Sequence, residues 1–168
     1  SVGISKVHDA SELGEALREA ARFDRKIVVE RGVTGRELEL SVLGNDDPIV
    51  SIAGEIRPRG EFYDYNAKYI DDTAELIIPA DVEPTTLERL QTYAAQAFRA
   101  LDLAGLARVD FFLEESTGNI YLNEVNTLPG FTSISMYPML WEASGMPIGD
   151  LVDRLVTLAV ERRCERRG

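Results

Sequence analysis

Cysteine, histidine and tryptophan each occur only once in this chain of 168 residues. The lone Cys164, in the charged run "ERRCERRG", can form no internal disulfide, so a disulfide scaffold is excluded and a cytoplasmic home is expected. The single histidine, His8, stands just before a helical pattern and is expected on the surface. No apolar run approaches the roughly 18 to 20 residues needed to cross a bilayer, and no basic-then-apolar leader opens the chain. Positive charge is also scarce. A net charge of −11 argues against a nucleic-acid groove, so neither nucleic acid nor membrane is an expected partner. It leaves open an acidic site that takes a nucleotide through Mg²⁺.

What is present is an ordinary soluble composition, 45% hydrophobic and 28% charged, enough for a real core in one domain or in a large piece of a longer protein. "DASELGEALREAARFD" (Asp9 to Asp24) places Leu13, Ala16, Leu17, Ala20 and Ala21 at helical spacing behind a capping residue. "KIVVERGV", "GRELELSVLG" and "PIVSIAGEI" read as three strands in succession, an antiparallel meander; the alternation in the second marks it as half exposed. "RPRGEFYDYNAKYIDD" (Arg57 to Asp72) has no period and reads as a long functional loop. "EPTTLERLQTYAAQAFRALDL" is a helix with Pro84 at its start. "LARVDFFLEESTGNIYLNEVN" is a hairpin turning at "ESTG". "SISMYPMLWEASGM" is helical only in part because of Pro138, and "PIGDLVDRLVTLAVERR" is a closing helix, with Leu151, Val152, Leu155, Leu158 and Ala159 on one side.

The hairpin carries the chemistry. With its turn near Ser116 and Thr117, Asp110 lies opposite Glu124 and Arg108 opposite Asn126, all four on one face. Val109 and Phe111 then share the other face with Asn123 and Val125. Two carboxylates and an amide oxygen converging so closely call for a hard divalent cation, and Mg²⁺ typically bridges such carboxylates to phosphate oxygens. Arg108 beside them could neutralise a transferring phosphoryl group or an oxyanion. Solvated strand carboxylates, or pairing with Arg108, are the plainer alternatives for each residue taken alone.

At this point "VVERGVTGRELELSVLGN", "FYDYNAKY" and "ARVDFFLEESTGNIYLNEVNTLPGFTSISMYP" resemble the D-alanine–D-alanine ligases of the ATP-grasp superfamily, over essentially the whole chain. The resemblance implies an α+β fold, an ATP-grasp-like antiparallel sheet flanked by helices. It implies ATP-dependent joining of two D-alanines through a D-alanyl phosphate, for peptidoglycan precursors, with Mg²⁺ (two ions expected, Mn²⁺ as alternative). By this resemblance Asp110, Glu124 and Asn126 are the metal ligands, while Arg108 and the Gly130 amide hold the oxyanion. Glu30, Val33 and Glu37 meet adenosine; Phe62 and Asn123 flank the adenine and Lys68 the phosphates. Ser135 and Met136 receive the second substrate's carboxylate, with a helix cap as the other reading of Ser135. Tyr69 closes the loop against a serine segment of which this chain keeps "SVG", beginning at Ser1. An intact "YDYNAKY" favours D-alanine as the amine.

The resemblance also implies that residues 1–168 are the C-terminal part of such a ligase, the end of the central-domain loop plus the ATP-binding and catalytic domain, without its N-terminal domain. About half the composite site would then lie elsewhere, and the chain alone is expected to turn over little. The full-length protein is expected to be a homodimer. Another ATP-grasp carboxylate–amine ligase and a non-catalytic nucleotide-binding fragment are the rival readings.

Overall fold

A computed structural model of the chain describes residues 2–58 and 74–165. The chain divides into two units, Ser1–Thr34 with Pro58–Ala74, and Gly35–Arg57 with Glu75–Gly168.

In the first unit the predicted helix forms only over Leu13–Ala20 (α1). Asp9 accepts the Ser11 N–H at 2.7 Å and so closes a turn ahead of the helix rather than capping it. "KIVVERGV" is not a strand: residues 27–34 are irregular, and Val28 and Val29 stand 69% and 67% exposed. β-branched residues favour strands only where a ladder and a packed face receive them.

The second unit is built on a five-stranded sheet. Its strands are β1 (Arg36–Gly44), β2 (Ile49–Pro58), β3 (Ala74–Ile77), β4 (Gly105–Glu114) and β5 (Asn119–Asn126), in the order β3-β2-β1-β4-β5. The meander is therefore β1 to β3, and the other neighbour of β1 is β4, paired antiparallel. This corrects the half-exposed reading of β1. It is a central strand, and Glu39 and Ser41 are as fully buried as Leu38 and Leu40. The alternation in "RELELSVL" separates two covered faces of different chemistry, not core from water.

Strand period two sorts the packing. Leu38, Leu40, Val42, Ala53, Ala107, Val109, Phe111 and Leu113 form one apolar face. Helix α2 (Pro84–Ala100) covers it with Leu90, Ala94 and Phe98, spaced four apart on one stripe. Pro84 opens this helix, where its missing N–H costs nothing. On the opposite face Leu43 and Leu106 pack with α3 (Met136–Ala143) and α4 (Ile148–Glu165) through Tyr137, Trp141, Leu151 and Leu158. Pro138 falls in the first turn of α3, where no intrahelical donor is lost. In α4, Leu151 and Leu158 are buried and Leu155 half-buried, whereas Val152 and Ala159 face out, so the inward stripe is narrower than predicted. No helix among the described residues is long and apolar enough to cross a membrane.

Gly54 is where α3 meets the sheet. A Cβ there would lie 2.9 Å from Met136 Sδ and 3.0 Å from Leu140 Cδ2. Gly54→Val is expected to cost about 1–3 kcal/mol by overpacking, read as a lower urea midpoint with an unchanged slope.

At the next position of β2, on the opposite face, Glu55 binds Arg36 at 2.6 Å (Nη2–Oε2) and Arg57 at 2.9 Å (Nε–Oε1). Burial acts to raise its pKa, but the two guanidinium groups outweigh it and hold the carboxyl below its usual 4.5. This stabilisation is present above the usual value and lost as pH falls through the depressed one. Glu55→Gln should therefore be about 1–3 kcal/mol less stable near neutrality. Its deficit should shrink as pH falls below 4.5 and through the depressed pKa, measured by urea unfolding at a series of pH values.

Candidate functional site

The antiparallel register of β4 and β5 sets Arg108 opposite Asn126 and Asp110 opposite Glu124, as the hairpin predicted. On the other side, β1 places Glu39 opposite Asp110 and Ser41 opposite Arg108. Three adjacent strands thus contribute to one polar face. Just beyond Asp110 the ladder slips, so that Phe111 faces Leu122 and Asn123 is the extra residue of a β-bulge. Val109 and Val125 pair as expected on the other face, but the simple register that put Asn123 there with Phe111 is interrupted. Leu122, Asn123 and Glu124 are all exposed, because the bulge breaks the alternation that would have turned one of them inward.

The guanidinium of Arg108 is the centre of this face. Its Nε and Nη2 each donate to Asp110 at 2.8 Å, a bidentate pair, and Nε lies 3.1 Å from Glu39 Oε2. Burial acts to lower the pKa of Arg108. The hydrogen bonds to Asp110 and the charges of Glu39, Asp110 and Glu124 outweigh it, and the net shift is upward. The group is a permanent cation. Exposure grades outward across the face. Glu39, Asp110 and Arg108 are buried, Asn126 is half-buried and Glu124 is open to solvent.

Asn126 links the two carboxylates. Its Nδ2 donates to Asp110 Oδ2 at 3.1 Å and to Glu124 Oε1 at 3.0 Å. Two carboxylate oxygens therefore converge on one point where partial positive charge already sits. Rotating the amide about its last bond would add its oxygen to the set. Three hard oxygen donors of this kind fit Mg²⁺ or Mn²⁺ better than a soft-ligand metal. Among the described residues no group of three or more His, Cys, Asp or Glu forms a metal cage of its own.

After β5 the chain passes through Pro129 and Gly130 into a tight loop. Ser135 Oγ accepts the Thr132 N–H at 3.0 Å and shares a hydrogen bond with Thr132 Oγ1 at 2.8 Å. The hydroxyl is thus used within the loop and does not cap α3, which settles the cap reading against the side chain. A Cβ on Gly130 would lie 2.8 Å from that same hydroxyl, so the glycine permits the loop's closest approach. Met136 is buried with its sulfur against Gly54, and only its backbone faces the helix N-terminus.

The remaining predicted residues are more dispersed. Glu37 lies on the site face of β1, two residues before Glu39, and is half-buried. Glu30 is exposed and Val33 half-buried, both in the irregular stretch of the first unit. Ser1, Phe62, Lys68 and Tyr69 lie outside the described residues. The residue that sequence reasoning missed is Glu39. Its signal was the second glutamate of "ELEL", which was assigned to solvent.

A family model described as the D-ala D-ala ligase C-terminus matches residues 1–157. D-alanine–D-alanine ligase of Acetivibrio thermocellus is 59% identical over 162 residues, which is 96% of this chain and 43% of that protein. The ligase of Geobacillus thermodenitrificans is 55% identical over 99% of this chain and 46% of its own length. Among solved structures, the D-alanine–D-alanine ligase of Coxiella burnetii superposes with a TM-score of 0.86 at 37% identity, over 97% of this chain and 42% of that one. The VanG D-Ala:D-Ser ligase of Enterococcus faecalis does so with a TM-score of 0.84 at 37% identity, over 93% and 45%. The chain spans less than half the length of these relatives. By its sheet, its hairpin constellation and a match across nearly all of its length, the chain belongs to the D-alanine–D-alanine ligase family and corresponds to its C-terminal part.

Proposed function

We propose that this chain is the nucleotide-binding and catalytic half of an enzyme that uses ATP to activate the carboxylate of one D-alanine as an acyl phosphate. The amino group of a second D-alanine then displaces phosphate to give the dipeptide used in peptidoglycan precursors. One observation carries the reading. The buried Arg108 cation stands beside carboxylates that converge at the open end of a strand, a pairing suited to transferring phosphoryl oxygens.

In this reading Asp110, Glu124 and Asn126 hold Mg²⁺, with two ions expected, and the metal supplies the positive charge that draws ATP phosphates to an acidic protein. Arg108 and the Gly130 N–H face the oxygen on which negative charge develops. The Ser135 hydroxyl and the Met136 N–H at the α3 N-terminus take the carboxylate of the second D-alanine. Glu30, Val33 and Glu37 meet the adenosine. Asn123 and Phe62 flank the adenine and Lys68 binds phosphate. Tyr69, with the segment beginning at Ser1, closes the site against water, which would otherwise hydrolyse the acyl phosphate. "YDYNAKY" supports D-alanine over D-serine as the amine. An N-terminal domain and the first part of the central domain complete the protein, which works as a cytoplasmic homodimer.

The purified chain is expected to bind Mg–ATP by calorimetry and to release phosphate slowly, faster with D-alanine than with D-serine or D-lactate. Rapid, complete ligation would contradict a site shared with the part of the relatives that this chain does not span. Asp110→Asn should weaken ATP binding in Mg²⁺ by roughly tenfold or more and leave binding in excess chelator unchanged. Equal affinity in both conditions for the parent chain would remove the metal from the reading. Gly130→Ala should leave Mg–ATP affinity within about twofold while displacing Ser135, so that D-alanine dependence of phosphate release is lost first.

A further inference from the structure

Resting on the metal reading above, we propose that Glu39 is a positioning residue that retains the Arg108 guanidinium when Asp110 is drawn into cation binding. Glu39 is fully buried on the central strand, directly opposite Asp110 in the β1–β4 ladder, and 3.1 Å from Arg108 Nε.

The problem it answers is electrostatic. Both oxygens of Asp110 are engaged by Arg108, and one of them also receives Asn126. A carboxylate has about four lone-pair sites, so a metal can be added to it without displacing the arginine. Its single charge, however, cannot neutralise a guanidinium and a divalent ion together. Without another anion, cation binding at Asp110 would leave Arg108 buried and under-compensated, and the arginine would move away or the ion would bind poorly.

Glu39 supplies that anion from beneath, at a depth no solvent ion shares. Arg108, Asp110, Glu124 and Glu39 together carry two net negative charges, which one divalent cation balances. Replace Glu39 by a neutral group and the loaded face is left one positive charge in excess. Glu39 touches neither metal nor substrate in this scheme. It acts through Arg108.

The test is Mn²⁺ binding to the chain, followed by the electron paramagnetic signal of the free ion, on the parent, Asp110→Asn, Glu39→Gln and Glu39→Asp. Thermal melts first establish that each variant folds. Glu39→Gln is expected to weaken Mn²⁺ binding by roughly tenfold. Glu39→Asp, with its charge kept but one methylene shorter, should fall between, and it carries the test if Glu39→Gln does not fold. In an Arg108→Met background the same Glu39→Gln change should alter affinity by less than about twofold, because the residue it supports is gone. A second readout is the Nε–H resonance of Arg108 in ¹⁵N spectra. It should persist through Mg²⁺ saturation in the parent and be lost on adding Mg²⁺ to Glu39→Gln. Parent-like Mn²⁺ affinity in the folded Glu39 variants, or equal losses with and without Arg108, would overturn the inference alone. Parent-like affinity in Asp110→Asn would overturn the metal reading and the inference together.

Discussion

Arg108 is held by two acids inside the protein, and the working face is arranged around that clamp. A guanidinium that is almost completely buried, with a bidentate partner on its own strand and a second acid on the next, cannot rotate freely or lose its proton. Its desolvation is tolerable only because hydrogen bonds and charge compensate it together. The consequence runs outward. Asp110 is fixed by Arg108, Asn126 is fixed by Asp110, and Glu124 is reached by the same amide. Order is transmitted from the buried centre of the sheet to a solvent-exposed carboxylate at its edge.

The sheet can hold such a face because the middle of its other side is apolar, with Arg36 and Glu55 paired at one end of it. Leu38, Leu40 and Val42 alternate with Glu37, Glu39 and Ser41 along one strand, and α2 covers the first set without regard to the second. The polar side is closed over only part of its length. Tyr137 and Trp141 pack at the Leu43 end, where Ser41 Oγ donates to the Tyr137 carbonyl at 3.1 Å. Further along, Gly54, opposite Glu39 in the β1–β2 ladder, lets Met136 and Leu140 settle against the sheet. The apolar side thus serves stability alone, while the polar side serves chemistry in the middle and packing against α3 and α4 toward its Leu43 end.

Much of this was legible in the chain. The "ESTG" turn set the hairpin register, and register placed Asp110 against Glu124 and Arg108 against Asn126. The α2 helix showed itself through its segment's pattern and Pro84 at its start. What failed had a common cause: local pattern says which side chains share a face but not what lies across from it. "ELEL" was assigned a wet face because charge alternated with leucine, yet Glu39 faces another strand's arginine. "KIVV" has strand chemistry without strand structure. The bulge at Asn123 depends on the match of two strands, and neither strand alone encodes it. The resemblance named Gly130 and Ser135 of the "TLPGFTSIS" loop as site residues but gave no hint that they approach each other.

That approach bears on how the loop can serve a bound carboxylate. Thr132 and Ser135 bring two hydroxyl protons to a single shared hydrogen bond, while Ser135 Oγ also accepts a backbone N–H. One proton lies between the two oxygens, and the other is left to point away from the pair. A carboxylate seated at the α3 N-terminus would accept a hydrogen bond from that second hydroxyl proton, with the helix dipole favouring its charge. For this the two hydroxyls must be close, and they are close only while Ser135 Oγ occupies the space a Gly130 side chain would fill. The glycine thus has two consequences from one absence. It permits the hydroxyl pair that leaves one donor to spare, and in the proposed reaction it would let its own N–H approach the oxyanion.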